Sequence, residues 1–168
     1  LHGNANSFEH NHVRLPSLIA QACRAQGVRR LIHISALGAE AQAPSLYQRS
    51  KARGEAVLQA VAEAGDLDLT VIRPSVIFGA GDKFLNTFAA LQSVLPFVPL
   101  AGAGTRFQPV WVGDVAQAVV DLLCDGRPGV QVVQAAGPEV LSLGQIVQRV
   151  GAMAGCPRPV LPLPEAAG

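Results

Sequence analysis

The chain has 168 residues, a net charge of +1, 49% hydrophobic and 15% charged residues. That composition suits one domain around one sizeable core and excludes intrinsic disorder. The near-neutral charge gives no electrostatic case for a nucleic-acid partner.

In chain order, Val13 to Gln26 carries apolar residues at Leu15, Leu18, Ile19, Ala22 and Cys23, a helical period closed by Gly27. Arg30 to Ala36, RLIHISA, reads as a short apolar strand. Leu46 to Ala64 reads as a helix with Ala56, Val57, Ala60 and Val61 on one stripe and Gly65 as its stop. Leu67 to Ile72, LDLTVI, alternates as a strand and ends at Arg73-Pro74. A helix follows from Phe84 to Val94, then an extended segment from Arg106 to Val112. Asp114 and Gln117 predict a capping box for a helix to Cys124, and Ser142 and Gln145 a second one for a helix to Ala154. Between these helices Val130 to Ala135 predicts a strand, and from Cys156 on the chain is extended.

Helices alternating with short apolar strands predict an α/β fold with a parallel sheet covered on both faces. Residues 76–129 alternate less strictly, and with 156–168 they are expected to contribute to a smaller substrate lobe. Phe84 to Thr105 is uncharged, but Asn86, Gln92, Pro96 and Pro99 interrupt it, so no membrane-spanning helix is expected. The polar start LHGNANSFEHNH is unlike a signal peptide. Cys23, Cys124 and Cys156 are odd in number and match no CxxC spacing, which predicts reduced, buried thiols and a cytoplasmic setting. The first residue is Leu and the last a Gly after a Pro-rich run, so a fragment of a longer protein is expected.

The most informative stretch is SLYQRSKARGE, Ser45 to Glu55. Tyr47 is the single tyrosine and Lys51 one of two lysines, and a spacing of four puts them on one helix face. An ammonium beside a phenol favours the phenolate and draws its pKa down from about 10. Such a tyrosine exchanges a proton with a substrate oxygen while hydride moves at the adjacent carbon. Alone the spacing is a weak motif, and a surface helix with two neighbouring polar residues explains it as well. Its context adds weight: the helix follows RLIHISA, with Ser35 at the strand's end, and open α/β sheets bind ligands at the carboxyl ends of strands. A hydroxyl there can polarise a carbonyl.

From about Phe8 to Pro164 the chain resembles the extended or atypical short-chain dehydrogenase/reductases. The resemblance is carried by GVRRLIHISALGA, YQRSK, TVIRPSVIFGAGD, FQPVWVGDVAQAV and GPEVLSLGQIVQRV, in that family's order and spacing. The subgroup it resembles is the nucleotide-binding accessory subunit of respiratory complex I and its bacterial relatives. The resemblance implies the C-terminal part of a doubly wound Rossmann sheet, with NAD or NADP as cofactor. It implies Tyr47 as general acid/base, Lys51 as pKa modulator and ribose ligand, Ser35 as the active serine, and Pro74, Ser75 and Val76 lining the nicotinamide pocket through their backbone. Leu37 stands where extended members often place the active hydroxyl, and His12 aligns with their helix asparagine, which supports a proton-relay water. The glycine fingerprint GxxGxxG is not in the sequence; GAG at Gly79 to Gly81 and Gly102 to Gly104 is not preceded by the first strand. The fingerprint is therefore expected upstream of Leu1, and without it the isolated chain is expected to be poorly soluble and to bind NAD(P) weakly.

His10 and His12 lack a nearby carboxylate or cysteine partner in sequence, so no metal site is expected. His33 reads as a hydrogen-bonded core histidine, Asp114 as a helix cap, and Arg106 as a solvated strand residue. Arg73 is open between an ion pair and a cleft lining. Phe84, Leu85, Phe88, Leu91, Leu95 and Phe97 are either lobe core or a pocket for a small, apolar, lipid-like or quinone-like substrate. The expected function is NAD(P)-dependent oxidation-reduction or epimerase/dehydratase chemistry. The alternatives are a non-catalytic accessory subunit attached peripherally to a respiratory complex at the inner membrane, or a redox-sensing regulator.

Overall fold

The structure is a computed structural model and describes residues 4–164. Two compact units divide the chain: Leu1–Pro74 with Val115–Ala135, and Ser75–Asp114 with Ala136–Gly168. The expected lobe boundary differs, because residues 115–129 belong with the first unit: the strand that follows them hydrogen-bonds into its sheet.

The first unit begins with helix α1 (Ala5–Glu9), a π-helical turn (His10–Arg14) and α2 (Leu15–Ala25), continuous with one another. The helix therefore starts well before Val13, because the side chain of Asn4 caps it by accepting from Ser7 N at 2.9 Å. Strand β1 (Arg30–Ile34), helix α3 (Leu46–Val61) and strand β2 (Asp68–Pro74) follow. Ser45 caps α3 through its hydroxyl, and Gly65 closes the π-helical turn behind it at φ 88°, a left-handed conformation that suits glycine. β2 lies between β1 and β7 (Val130–Ala135), parallel to both. Leu69 and Val71 project to one face of β2 and Thr70 and Ile72 to the other, and all four are buried. A strand covered on both faces fits the parallel sheet that the alternation of helices and strands predicts, although LDLTVI itself alternates.

The core of this unit joins Ala20, Leu58, Ala62, Leu67, Leu69 and Val71. Each fully buried Leu or Val side chain contributes roughly 1.5–3 kcal/mol relative to exposure. Two expected stripes are corrected. On α3 the buried positions are Ser50, Gly54, Glu55 and Leu58, while Ala56 and Ala60 are exposed. On α2 they are Pro16 and Ala20, whereas Leu15, Leu18 and Ile19 are each more than 40% exposed. Both reversals have one cause: the faces of α2 and α3 that meet carry small or hydrogen-bonded residues, which let the backbones approach.

The second unit pairs short strands: β3 (Ile77–Phe78) with β6 (Val110–Trp111), β4 (Val98–Ala101) with β9 (Val160–Leu163), and β5 (Arg106–Phe107) with β8 (Leu141–Ser142). Helices α4 (Phe84–Val94) and α6 (Leu143–Met153) pack together around Val98, Leu100 and Val147. Ser142 and Gln145 form the expected capping box of α6. The one expected at Asp114 does not form. Helix α5 (Val112–Asp125) starts two residues earlier, placing Asp114 inside its first turn, and Gln117 bonds Asp121 instead. The three cysteines are free thiols, but Cys124 is exposed in the last turn of α5 rather than buried.

Candidate functional site

The site grows from an irregularity in the first helix. Pro16 has no N–H, so it cannot donate to the carbonyl of His12 four residues back. The turn at His10–Arg14 is wound wider instead, with Leu15 N donating to His10 O, five residues back. α3 meets this turn at Gly54, where an added Cβ would stand 1.9 Å from His12 O. No side chain fits there, and that explains a glycine in the middle of a sixteen-residue helix.

This close approach carries the His12 side chain onto the face of α3 that bears Ser50 and Tyr47. His12 Nδ1 lies 2.8 Å from Ser50 Oγ, and Ser50 Oγ donates to Tyr47 O at 2.7 Å. The Tyr47 ring packs edge-on against His12 and Phe8, with centroids 5.3 and 6.0 Å away, and Phe8 stacks on His12 at 5.2 Å. Tyr47 is half-buried, and burial raises its pKa above the ordinary phenol value.

One turn further, Lys51 is half-buried, and its ammonium donates to Ile34 O, the last residue of β1, at 2.9 Å. Burial lowers its pKa, opposed by the negative charge of Glu55. The expectation that Lys51 draws the Tyr47 pKa down is therefore not met in this structure. Desolvation of the ring dominates, and the ammonium is engaged by a strand carbonyl.

Ser35 follows Ile34, just past the end of β1. Its N–H donates to Ile72 O at 2.7 Å, it is 4% exposed, and its hydroxyl is buried without a hydrogen-bond partner. His33, two residues earlier, also departs from expectation: Nε2 is buried and unpaired, and the pKa is lowered to about 4. Desolvation is the first cause and the Lys51 charge the second. Pro74 closes β2, buried, with its carbonyl accepting from Leu37 N at 2.8 Å. Ser75 and Val76 open the second unit, half-buried, and Val76 O is taken by Val110 N at 2.9 Å.

Sequence reasoning missed two partners. Ser50 was not singled out, although it lies three residues after Tyr47 on the helix. Glu55, 2% exposed, lies four residues after Lys51 and receives both Arg73 Nε at 3.0 Å and Arg73 Nη2 at 2.5 Å. This bidentate pair ties α3 to β2 and raises the Arg73 pKa through the hydrogen bond from its guanidinium. It resolves Arg73 as an ion-pair residue. The repeat Tyr47, Lys51, Glu55, four residues apart each time, was the available signal.

Arg106 is exposed on β5. Phe84, Phe88 and Phe107 cluster in the second unit, with Phe84 centroids 5.4 and 5.9 Å from the other two rings. A groove of about 250 Å³ in that unit is lined by Phe78, Leu85, Pro109, Leu141, Ile146 and Val150, beside the Glu139–Arg149 ion pair at 2.6 Å. Among the described residues no three His, Cys, Asp or Glu side chains converge as a metal site, and no helix is long and apolar enough to cross a membrane.

A parallel sheet with helices between its strands points to a class of fold, and comparison with known proteins agrees. The model of the NAD dependent epimerase/dehydratase family matches residues 2–135, and the chain belongs to that family. It is 38% identical over 146 residues to the mitochondrial NADH dehydrogenase (ubiquinone) 1 alpha subcomplex subunit 9 of Arabidopsis thaliana, covering 84% of this chain and 35% of that protein. The Mus musculus protein of the same description is 42% identical over 120 residues, covering 70% of this chain and 30% of its own length. The chain thus spans about a third of the curated relatives it matches. A double mutant of dTDP-glucose 4,6-dehydratase from Streptomyces venezuelae, solved with NAD bound, superposes with a TM-score of 0.86 at 19% identity, covering 97% of this chain and 56% of that one. That likeness confirms the Rossmann-type α/β fold.

Proposed function

We propose that this chain supplies the acid–base part of an NAD-dependent hydride-transfer site in a longer protein. The observation that supports the reading is the Lys51 ammonium bonded to Ile34 O, next in sequence to the unpaired Ser35 hydroxyl, with Tyr47 one turn before Lys51 on α3. A buried hydroxyl without a partner costs about 1–3 kcal/mol, a cost that a structural residue has no reason to carry. The group fits the hydroxyl- and carbonyl-bearing end of a dinucleotide. An ammonium has three donors, and among the described residues Ile34 O is the acceptor recorded for one of them.

The bound nicotinamide would supply the hydride donor or acceptor. Tyr47 exchanges a proton with the substrate oxygen, and its raised pKa keeps it protonated, ready to act as an acid. Ser35 donates to the same oxygen, Lys51 would bind the ribose hydroxyls, and the backbone of Pro74 at the end of β2 would line the nicotinamide pocket. The apolar groove within the second unit suits a small apolar group better than a sugar nucleotide.

A second reading is favoured by the relatives, two of which are described as subunits of a mitochondrial NADH dehydrogenase. Here the nucleotide is held for assembly, and the protein attaches peripherally to a membrane-bound respiratory complex. Tyr47→Phe in the full-length protein separates the two. The catalytic reading expects turnover to fall by about 10²–10⁴ with NAD affinity kept. Unchanged turnover, or none in the parent protein across alcohol and carbonyl substrates, supports the assembly reading.

A further inference from the structure

Helix α6 is apolar on two sides. Val147 and Gly151 face the core of the second unit, where Val147 is fully buried and Gly151 abuts the Gln92 amide. Ile146, Val150 and Met153, spaced four and three residues apart, share the other side and line the groove of about 250 Å³ with Phe78, Leu85 and Leu141. Ile146 is 3% exposed, whereas Met153, at the end of the helix, is 88% exposed. An adaptable thioether at the edge of an apolar groove suits a ligand that it can fold over. The volume falls below the roughly 300–1,000 Å³ of drug-sized sites, so the groove takes one narrow chain rather than a set of rings.

Two charged side chains, Glu139 and Arg149, complete the lining. Arg149 Nη1 donates to Glu139 Oε2 at 2.6 Å, and both side chains are more than half exposed. An ion pair that exposed is weakly held. A guanidinium has five N–H donors in a planar fork that matches the two oxygens of a carboxylate, and among the described residues Arg149 makes no other hydrogen bond. The groove therefore has an apolar track and, beside it, a carboxylate receptor that its own Glu139 occupies. We propose that this groove binds a straight-chain carboxylate, with its chain along the apolar side of α6 and its head group displacing Glu139 from Arg149. The proposal rests on the reading of the groove as a substrate site and names the class of substrate it takes.

The test is calorimetric titration of the full-length protein with hexanoate, octanoate, 1-octanol and octylammonium. Octanoate should bind about tenfold more tightly than 1-octanol, the gain from one charge-assisted contact. Affinity should rise about fourfold for each methylene between hexanoate and octanoate. Arg149→Met should make octanoate and 1-octanol alike. Glu139→Gln, which removes the competing carboxylate, should strengthen octanoate binding by about two- to fivefold. Val150→Trp, which fills the groove, should abolish it. The proposal is overturned if 1-octanol or octylammonium binds the parent protein as tightly as octanoate, if chain length makes no difference, or if Glu139→Gln binds octanoate no better. The comparisons of ligands on the parent protein need no variant to fold. They also need no nucleotide: octanoate bound by a protein without turnover refutes the catalytic reading alone, and turnover without octanoate binding refutes this proposal alone.

Discussion

The two units differ in where a buried polar side-chain atom is left unpaired. In the second unit Gln92 is fully buried between α4 and α6, and its amide is satisfied: Nε2 donates to Val147 O at 2.9 Å and to Phe88 O at 3.3 Å, and Oε1 accepts from Arg158 N at 3.2 Å. Gly151 is required beside it, since a Cβ there would stand 2.1 Å from Gln92 Oε1. In the first unit, β1 and the residue that follows it carry both of the unpaired buried side-chain atoms among the described residues, His33 Nε2 and Ser35 Oγ. Buried polar groups are nearly always paired, so an exception needs a reason. Gln92 acts as a structural rivet. The two unpaired atoms belong to the residues on either side of Ile34, whose carbonyl accepts from the Lys51 ammonium.

This contrast can be broken at three points, in decreasing order of expected effect on stability. Gln92→Leu keeps the volume but strands Val147 O and Arg158 N, so urea unfolding of the full-length protein should show a loss of about 2–3 kcal/mol. A loss below the error of the measurement would deny Gln92 its structural role.

His33 should make stability depend on acid. Its folded pKa of about 4 lies below the unfolded value of 6.5, so the unfolded chain binds the proton first. The stabilising contribution is complete above pH 6.5 and is lost as pH falls toward about 4. His33→Leu should flatten that part of the pH–stability curve; an unchanged acid limb would place the responsible group elsewhere.

Ser35→Ala should change stability least and upward, by about 1 kcal/mol, because it removes a buried hydroxyl that has no hydrogen bond. If the hydroxyl polarises the substrate oxygen, the same change should lower turnover by about 10². A large stability loss with turnover kept would make Ser35 structural and erase the contrast with Gln92.

Much of the fold was legible because periodicity and capping act locally. α4 and β7 have the bounds that apolar runs and turn residues predict, and the Ser142–Gln145 box is formed. The Asp114 box failed because α5 already begins at Val112, which puts Asp114 inside the first turn, a start that the capping pattern does not mark. The faces of α2 and α3 were misread because hydrophobic periodicity cannot register a helix face built from Pro16, Ala20, Ser50, Gly54 and a paired Glu55. At the site, Tyr47, Lys51 and Ser35 could be found from spacing. Arg73 with Glu55 and His12 with Ser50 join residues 18 and 38 positions apart, and only the folded chain brings them together.

The measurement that bears most directly on the whole account is an NAD(H) titration of the full-length protein against its Lys51→Met variant. If the ammonium at the end of β1 holds the ribose, affinity should fall roughly tenfold or more, the loss of one charge-assisted hydrogen bond pair. An affinity unchanged by Lys51→Met, in a variant that folds, would mean that the Tyr47–Lys51 face of α3 is not where the nucleotide sits.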